Sequence, residues 1–128
     1  MIKEALKAVK TALQEIPELR YTGEDWGQLD YFAQKPVKFP CALVDLEEVD
    51  YTDNAPRRQQ AIASLTVRVA DSQVVSGSFL SPSTGRDFAL FDLLQRIAEV
   101  LHGLSGETFS PLVRTGLVRA RRDDSVRE

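Results

Sequence analysis

The middle of this chain leaves little freedom in how it folds. Cys41-Ala42-Leu43-Val44 sets four apolar residues in a row directly after Pro40. A short unbroken apolar run of this kind reads as a strand buried on both faces, and this one is expected at the centre of a sheet. Asp53-Asn54-Ala55-Pro56 follows, a cluster in which Asn tolerates positive φ and Pro fixes its own, so the chain is expected to reverse there. The returning run places Ala61, Ala63, Leu65, Val67 and Val69 on one face, with Gln60, Ser64, Thr66 and Arg68 on the other. Ile62 is the apolar exception on the polar face. Strict alternation marks a half-exposed antiparallel strand, and the whole stretch is predicted to be a long β-hairpin. Apolar parity on the outgoing strand shifts from Ala42, Val44 and Leu46 to Val49 and Tyr51. That odd step predicts a bulge near Glu47-Glu48.

Helical patterns flank the hairpin. Ile2, Leu6, Val9, Leu13 and Ile16 recur every three or four residues, with Lys3, Lys7, Lys10 and Gln14 opposite them and Pro17 as the stop. A second helix shows two apolar rows, Phe88, Phe91, Leu94, Ala98 and Leu101 beside Leu90, Leu93, Ile97 and Leu104. So wide an apolar sector predicts a helix lying deep against the sheet. Thr84 with Asp87 resembles a capping box at its start, and Gly103 suits a left-handed position at its end. Between helix and hairpin, a short strand is expected around Leu29 to Gln34, in a folded loop holding Tyr21 and Trp26. Phe109 to Val118, rich in Val, Leu and Thr, is expected to form a further strand. These elements predict a single α+β domain over residues 1–128, a mainly antiparallel sheet of about four strands with two helices packed mainly on one face.

Composition narrows the chemistry. Sixteen Lys and Arg against nineteen Asp and Glu give a net charge of -3, which argues against a protein devoted to neutralising phosphate and makes nucleic acid a minority partner. One cysteine, Cys41, forbids an internal disulfide framework, and with one histidine, His102, a zinc site lacks ligands. No cofactor motif is readable among the seven scattered glycines, and no apolar run approaches the roughly 20 residues that span a bilayer, so no membrane partner is expected. Cys41 and His102 are the one thiol–imidazole pair available for a small cysteine-dependent enzyme. The plainer reading makes Cys41 a buried hydrophobe and His102 a helix-terminal residue favoured by the dipole. Asp45, Glu47, Glu48, Asp50 and Asp53 crowd one strand, where simple alternation would put Asp45 and Glu47 on one face and Glu48 and Asp50 on the other. A solvated edge is the default reading of these acids.

Two surfaces suggest contact with another chain. The loop from 71 to 85 holds Val74, Val75, Phe79 and Leu80 without regular period, and a loop of this length is usually functional or disordered. Arg114, Arg119, Arg121, Arg122 and Arg127 make the last segment locally basic, complementary to the acidic strand. Complementary patches guide docking, so Arg119, Arg121 and Arg122 of one copy are expected to face acids such as Glu47, Glu48 and Asp50 of another.

Several phrases then carry a resemblance. They are the amphipathic helix Ile2 to Ile16, Gly27-Gln28-Leu29-Asp30, Phe39-Pro40-Cys41-Ala42-Leu43-Val44-Asp45 and Leu65-Thr66-Val67-Arg68-Val69. Phe91-Asp92-Leu93-Leu94-Gln95-Arg96-Ile97 with Leu101-His102-Gly103, Ser110-Pro111-Leu112-Val113-Arg114 and Arg121-Arg122-Asp123-Asp124-Ser125-Val126-Arg127 complete them. Across nearly its whole length the chain resembles the small tail-terminator-like or tail-completion proteins of tailed bacteriophages and Mu-like prophages. The resemblance implies a small α+β domain that assembles into a ring at the head-tail junction. Its partners would be copies of itself and other phage head-tail junction or tail-tube proteins, and it would carry no catalytic residues. It implies a place in the bacterial cytoplasm during assembly and then in the virion or a prophage-derived particle. Members of that group usually continue past the Asp-Asp phrase into a final strand, whereas this sequence stops at Glu128, so either that strand is missing or the sequence is a shortened one, and a missing strand would leave an open sheet edge.

Overall fold

The computed structural model describes residues 1–31, 34–56, 58–72, 88–122, 124 and 126–128. Helix α1 (Ile2–Gln14) leads into strand β1 (Tyr21–Glu24), a 3-10 turn (Gln28–Asp30), the long strands β2 (Cys41–Ala55) and β3 (Arg58–Ser72), helix α2 (Ala89–Leu101) and the short strand β4 (Val126–Arg127). Sheet order is β1-β2-β3-β4, with β1 parallel to β2 and the other pairs antiparallel. The fold is therefore α+β with a mostly antiparallel mixed sheet, as the sequence predicts.

The expected hairpin forms β2 and β3, and the expected bulge lies between Leu46 and Glu48. Both helices pack on one face. Val9, Leu13 and Ile16 from the α1 side meet Leu90, Leu93 and Ile97 of α2 over Ala42 and Val69. Burying each of these Val, Leu or Ile side chains is worth about 1.5–3 kcal/mol, so this layer carries much of the stability. The β1-to-β2 crossover covers the opposite face, where Leu29, Val37 and Phe39 close over Cys41, Leu43 and Ala70. Cys41, Ala42 and Leu43 are consequently fully buried between two layers.

Several expectations need correction. Among the described residues no strand forms around Leu29; residues 28–30 make the 3-10 turn, and a strand lies earlier, at Tyr21–Glu24. Parallel pairing with β2 decides its place, a contact that a local period does not reveal. Phe109 to Val118 has high β propensity but pairs with no strand among the described residues. Instead its first part folds back on the turn after α2, Leu112 donating to the Leu104 carbonyl at 2.9 Å and accepting from Gly103 N–H at 2.8 Å. The edge of β3 at Asp71 and Ser72 is taken by Val126 and Arg127, so the residues after the Asp-Asp phrase do supply a final strand, though a two-residue one. On α2 only the Leu90, Leu93 and Ile97 row is buried, because α1 shares the same sheet face. Phe88 and Phe91 lie exposed, their rings 6.2 Å apart. Gly103 adopts the expected left-handed conformation at φ 85°, and Gly27 a similar one at φ 102°. Val74, Val75, Phe79 and Leu80, with the Thr84–Asp87 cap, fall outside the described residues.

Candidate functional site

Burial along the hairpin divides it into two parts. From Cys41 to Leu46, and on β3 from Leu65 to Ala70, every residue is buried or half-buried. Beyond the bulge the strands stand clear of the helices and the crossover. Tyr51 is 59% exposed and Ile62 63%, which for large apolar side chains on a regular ladder marks a surface that the chain's own core does not cover.

The bulge alters how the acids are arranged. Asp45 pairs with Thr66, Glu48 with Ser64 and Asp50 with Ile62, and directly paired residues share a face of the sheet. Asp45, Glu48 and Asp50 therefore lie together with Ile62 on the face opposite the helices. This corrects the split that simple alternation gives, since the extra residue, Glu47, resets the parity. Val49 and Tyr51, opposite Ala63 and Ala61, occupy the helix-side face. None of Asp45, Glu47, Glu48 and Asp50 has an ion-pair partner among the described residues. Nor do His, Cys, Asp and Glu side chains there group in a way that could hold a metal ion.

The second predicted surface, the arginines, also divides. Arg122 lies within its own chain: Nη2 donates to Asp124 Oδ2 at 2.7 Å and to the Leu29 carbonyl, and Nη1 donates to Glu128 Oε2 at 2.9 Å. Asp30 lies 3.5 Å from the same guanidinium. Arg68 grips the other side of Glu128, with Nη2 to Oε2 at 3.0 Å and a further bond from Nε to Oε1, while its Nη1 donates to Asp25 at 3.2 Å. Lys35 adds an ion pair to Asp124 at 3.1 Å. Arg119 and Arg121, by contrast, are exposed and have no ion pair among the described residues.

This network sits at the covered end of the hairpin, where Arg68 faces the same layer as Leu43. Burial raises the Glu128 carboxyl, but the hydrogen bonds from Arg68 and Arg122 outweigh it and hold the group below its usual range. Asp124 is held well below the carboxylate range, first by its bond from Arg122. Both guanidiniums hold their protons more firmly in turn, Arg68 chiefly through Glu128 and Arg122 chiefly through Asp124. The network fastens the end of the described chain to β3 and the crossover, which two residues of β4 pairing would do poorly alone. Its partners were not legible as a set. The one sequence signal was Arg68 itself, a cation on the buried half of a strand, which requires an acid from elsewhere.

Gln28 carries no sequence signal of its role either. It is fully buried, with Nε2 donating to the Glu24 carbonyl at 2.8 Å and Oε1 accepting from Trp26 N–H at 2.9 Å. It thereby shapes the crossover that carries Leu29.

Cys41 and His102 are not brought together. Cys41 lies in the layer beneath the crossover, where burial pushes its thiol up to about 11, far from a reactive thiolate. His102 ends α2, on the helix side of the sheet. Its Nδ1 accepts Arg114 N–H at 3.1 Å, which ties the end of α2 to the segment that follows it. A shallow depression there is lined by Gln95, Ala98, Glu99, His102 and Arg114. Among the described residues, no helix is long and apolar enough to cross a membrane. Comparison with protein-family models, curated proteins and solved structures finds no match to this chain.

Proposed function

We propose that this chain is a structural assembly protein, a tail-terminator-like component of a phage or prophage head-tail junction that acts as a homo-oligomer. One observation carries the reading: the β2–β3 hairpin outgrows its own core, exposing Tyr51 and Ile62 on a rigid ladder. A strand pair that extends past the residues able to cover it is poorly explained by stability within one chain and well explained by contact with a neighbour. The α+β class is the one that the resemblance noted above implies. Nothing in the geometry favours the cysteine-dependent alternative, because Cys41 and His102 serve different layers.

Light scattering over a concentration series, with negative-stain microscopy of the largest species, tests the reading. Closed rings of one size support it, and a monomer at every concentration overturns it. Thiol labelling tests the alternative. Cys41 is expected to react only after denaturation, and rapid labelling of the native protein would revive cysteine chemistry.

A further inference from the structure

From Ser110 to Arg122 the chain runs without helix, strand, turn or bend. Both ends of this stretch are tied down, one by the Leu112–Leu104 and Leu112–Gly103 backbone pairs and the other by the Arg122 network. Between them lies an uncovered strap. Val113, Leu117 and Val118 are exposed, Val118 by 89%, and among the described residues no backbone group from Thr115 to Arg119 makes a hydrogen bond, while Ala120 N–H donates to the Glu128 carbonyl at 3.3 Å. A straight, unpaired backbone carrying exposed β-formers is the form a strand takes before it finds a sheet.

The hairpin has an edge to receive it. β1 covers β2 only from Cys41 to Val44, and beyond Val44 no strand pairs with the outer side of β2 among the described residues. The sequence patterns of strap and edge also match. In a strand, Leu117, Arg119 and Arg121 fall on one face and Gly116, Val118 and Ala120 on the other. The first set matches the hairpin face that carries Asp45, Glu48, Asp50 and Ile62. The second, with its small residues around Val118, matches the face of Val49 and Tyr51. The acids that guard this edge against a second acidic edge are the ones that would accept a basic strand.

We infer that residues 115–121 of one copy add as a strand to the outer edge of β2, between Asp45 and Asp53, of a second copy. This rests on the proposed homo-oligomer and supplies its joint. Because strap and edge are different surfaces, the contact can run head-to-tail, the kind that closes into a ring when the rotation permits. Fixed ends reduce the ordering entropy that strand addition would otherwise cost.

Charge exchange tests it, read by sedimentation velocity. Glu48→Arg with Asp50→Arg, or Arg119→Glu with Arg121→Glu, should each weaken self-association by at least about tenfold, since like charges then face each other. All four changes in one chain should restore much of it. Leu117→Pro, which removes a strand N–H from an exposed residue, should weaken association without changing thermal stability. Wild-type assembly that neither charge pair nor Leu117→Pro weakens would overturn the strap-to-edge joint while leaving the homo-oligomer standing. A wild-type chain that never assembles would overturn both.

Discussion

The two ends of the hairpin share one ladder and differ in almost everything else. At the covered end, Cys41, Ala42 and Leu43 lie between helices on one side and the crossover on the other. At the far end, the same two strands carry Tyr51 and Ile62 into solvent. Charge follows the same division. Asp25, Asp30, Asp124 and Glu128 at the covered end are paired with Arg68, Arg122 or Lys35, whereas Glu48 and Asp50 beyond the bulge have no such partner among the described residues. The contrast teaches that backbone pairing sets shape along the whole hairpin, while side-chain layers decide where that shape contributes stability and where it remains available.

Substitutions should separate the ends by size of effect. Leu43→Ala, at the covered end, should cost about 2–5 kcal/mol in denaturant unfolding, because both layers hold the cavity open. Arg68→Ala should cost less, about 1–3 kcal/mol, since its side chain is partly solvated but leaves Glu128 and Asp25 without their main cation. Gln28→Ala should fall in a similar range of about 1–3 kcal/mol by orphaning Glu24 C=O and Trp26 N–H. At the far end, Tyr51→Ser should change the unfolding free energy of the monomer by no more than about 0.5 kcal/mol. An equal loss from Tyr51→Ser and Leu43→Ala would erase the distinction.

Acid should act on the covered end through Asp124 and Glu128. Asp124 and Glu128 have folded pKa values lowered from 3.8 and 4.5, so their contribution is present above those values and is lost as pH falls through the lower folded ones. Stability should therefore drop in this acidic range, and Arg122→Gln should flatten the drop. Urea midpoints at neutral and acid pH for both proteins check the sign.

Local patterns revealed what was locally determined. The 3.6-residue period gave α1, the turn residues gave the hairpin's reversal, and a parity step gave the bulge at Glu47. Long-range partners decided the rest. β1 depends on a crossover onto β2, and Arg68 meets Glu128 across 60 positions, which no window along the chain reveals. Phe109 to Val118 shows the converse, since β propensity reports fitness for a sheet and says nothing of whether a neighbouring strand is free. The acids were identified as a group, but their common face followed only once the bulge was located.

The proposed oligomer makes the far end of the hairpin a contact surface rather than a part of the folding core. Sedimentation velocity of Ile62→Asp beside the unchanged chain, at matched concentrations and with thermal melts of both, tests it most directly. Equal melting of the monomers and loss of the assembled species in the variant are expected. Equal assembly of the two proteins, or a single monomer boundary for the unchanged chain at every concentration, would contradict it.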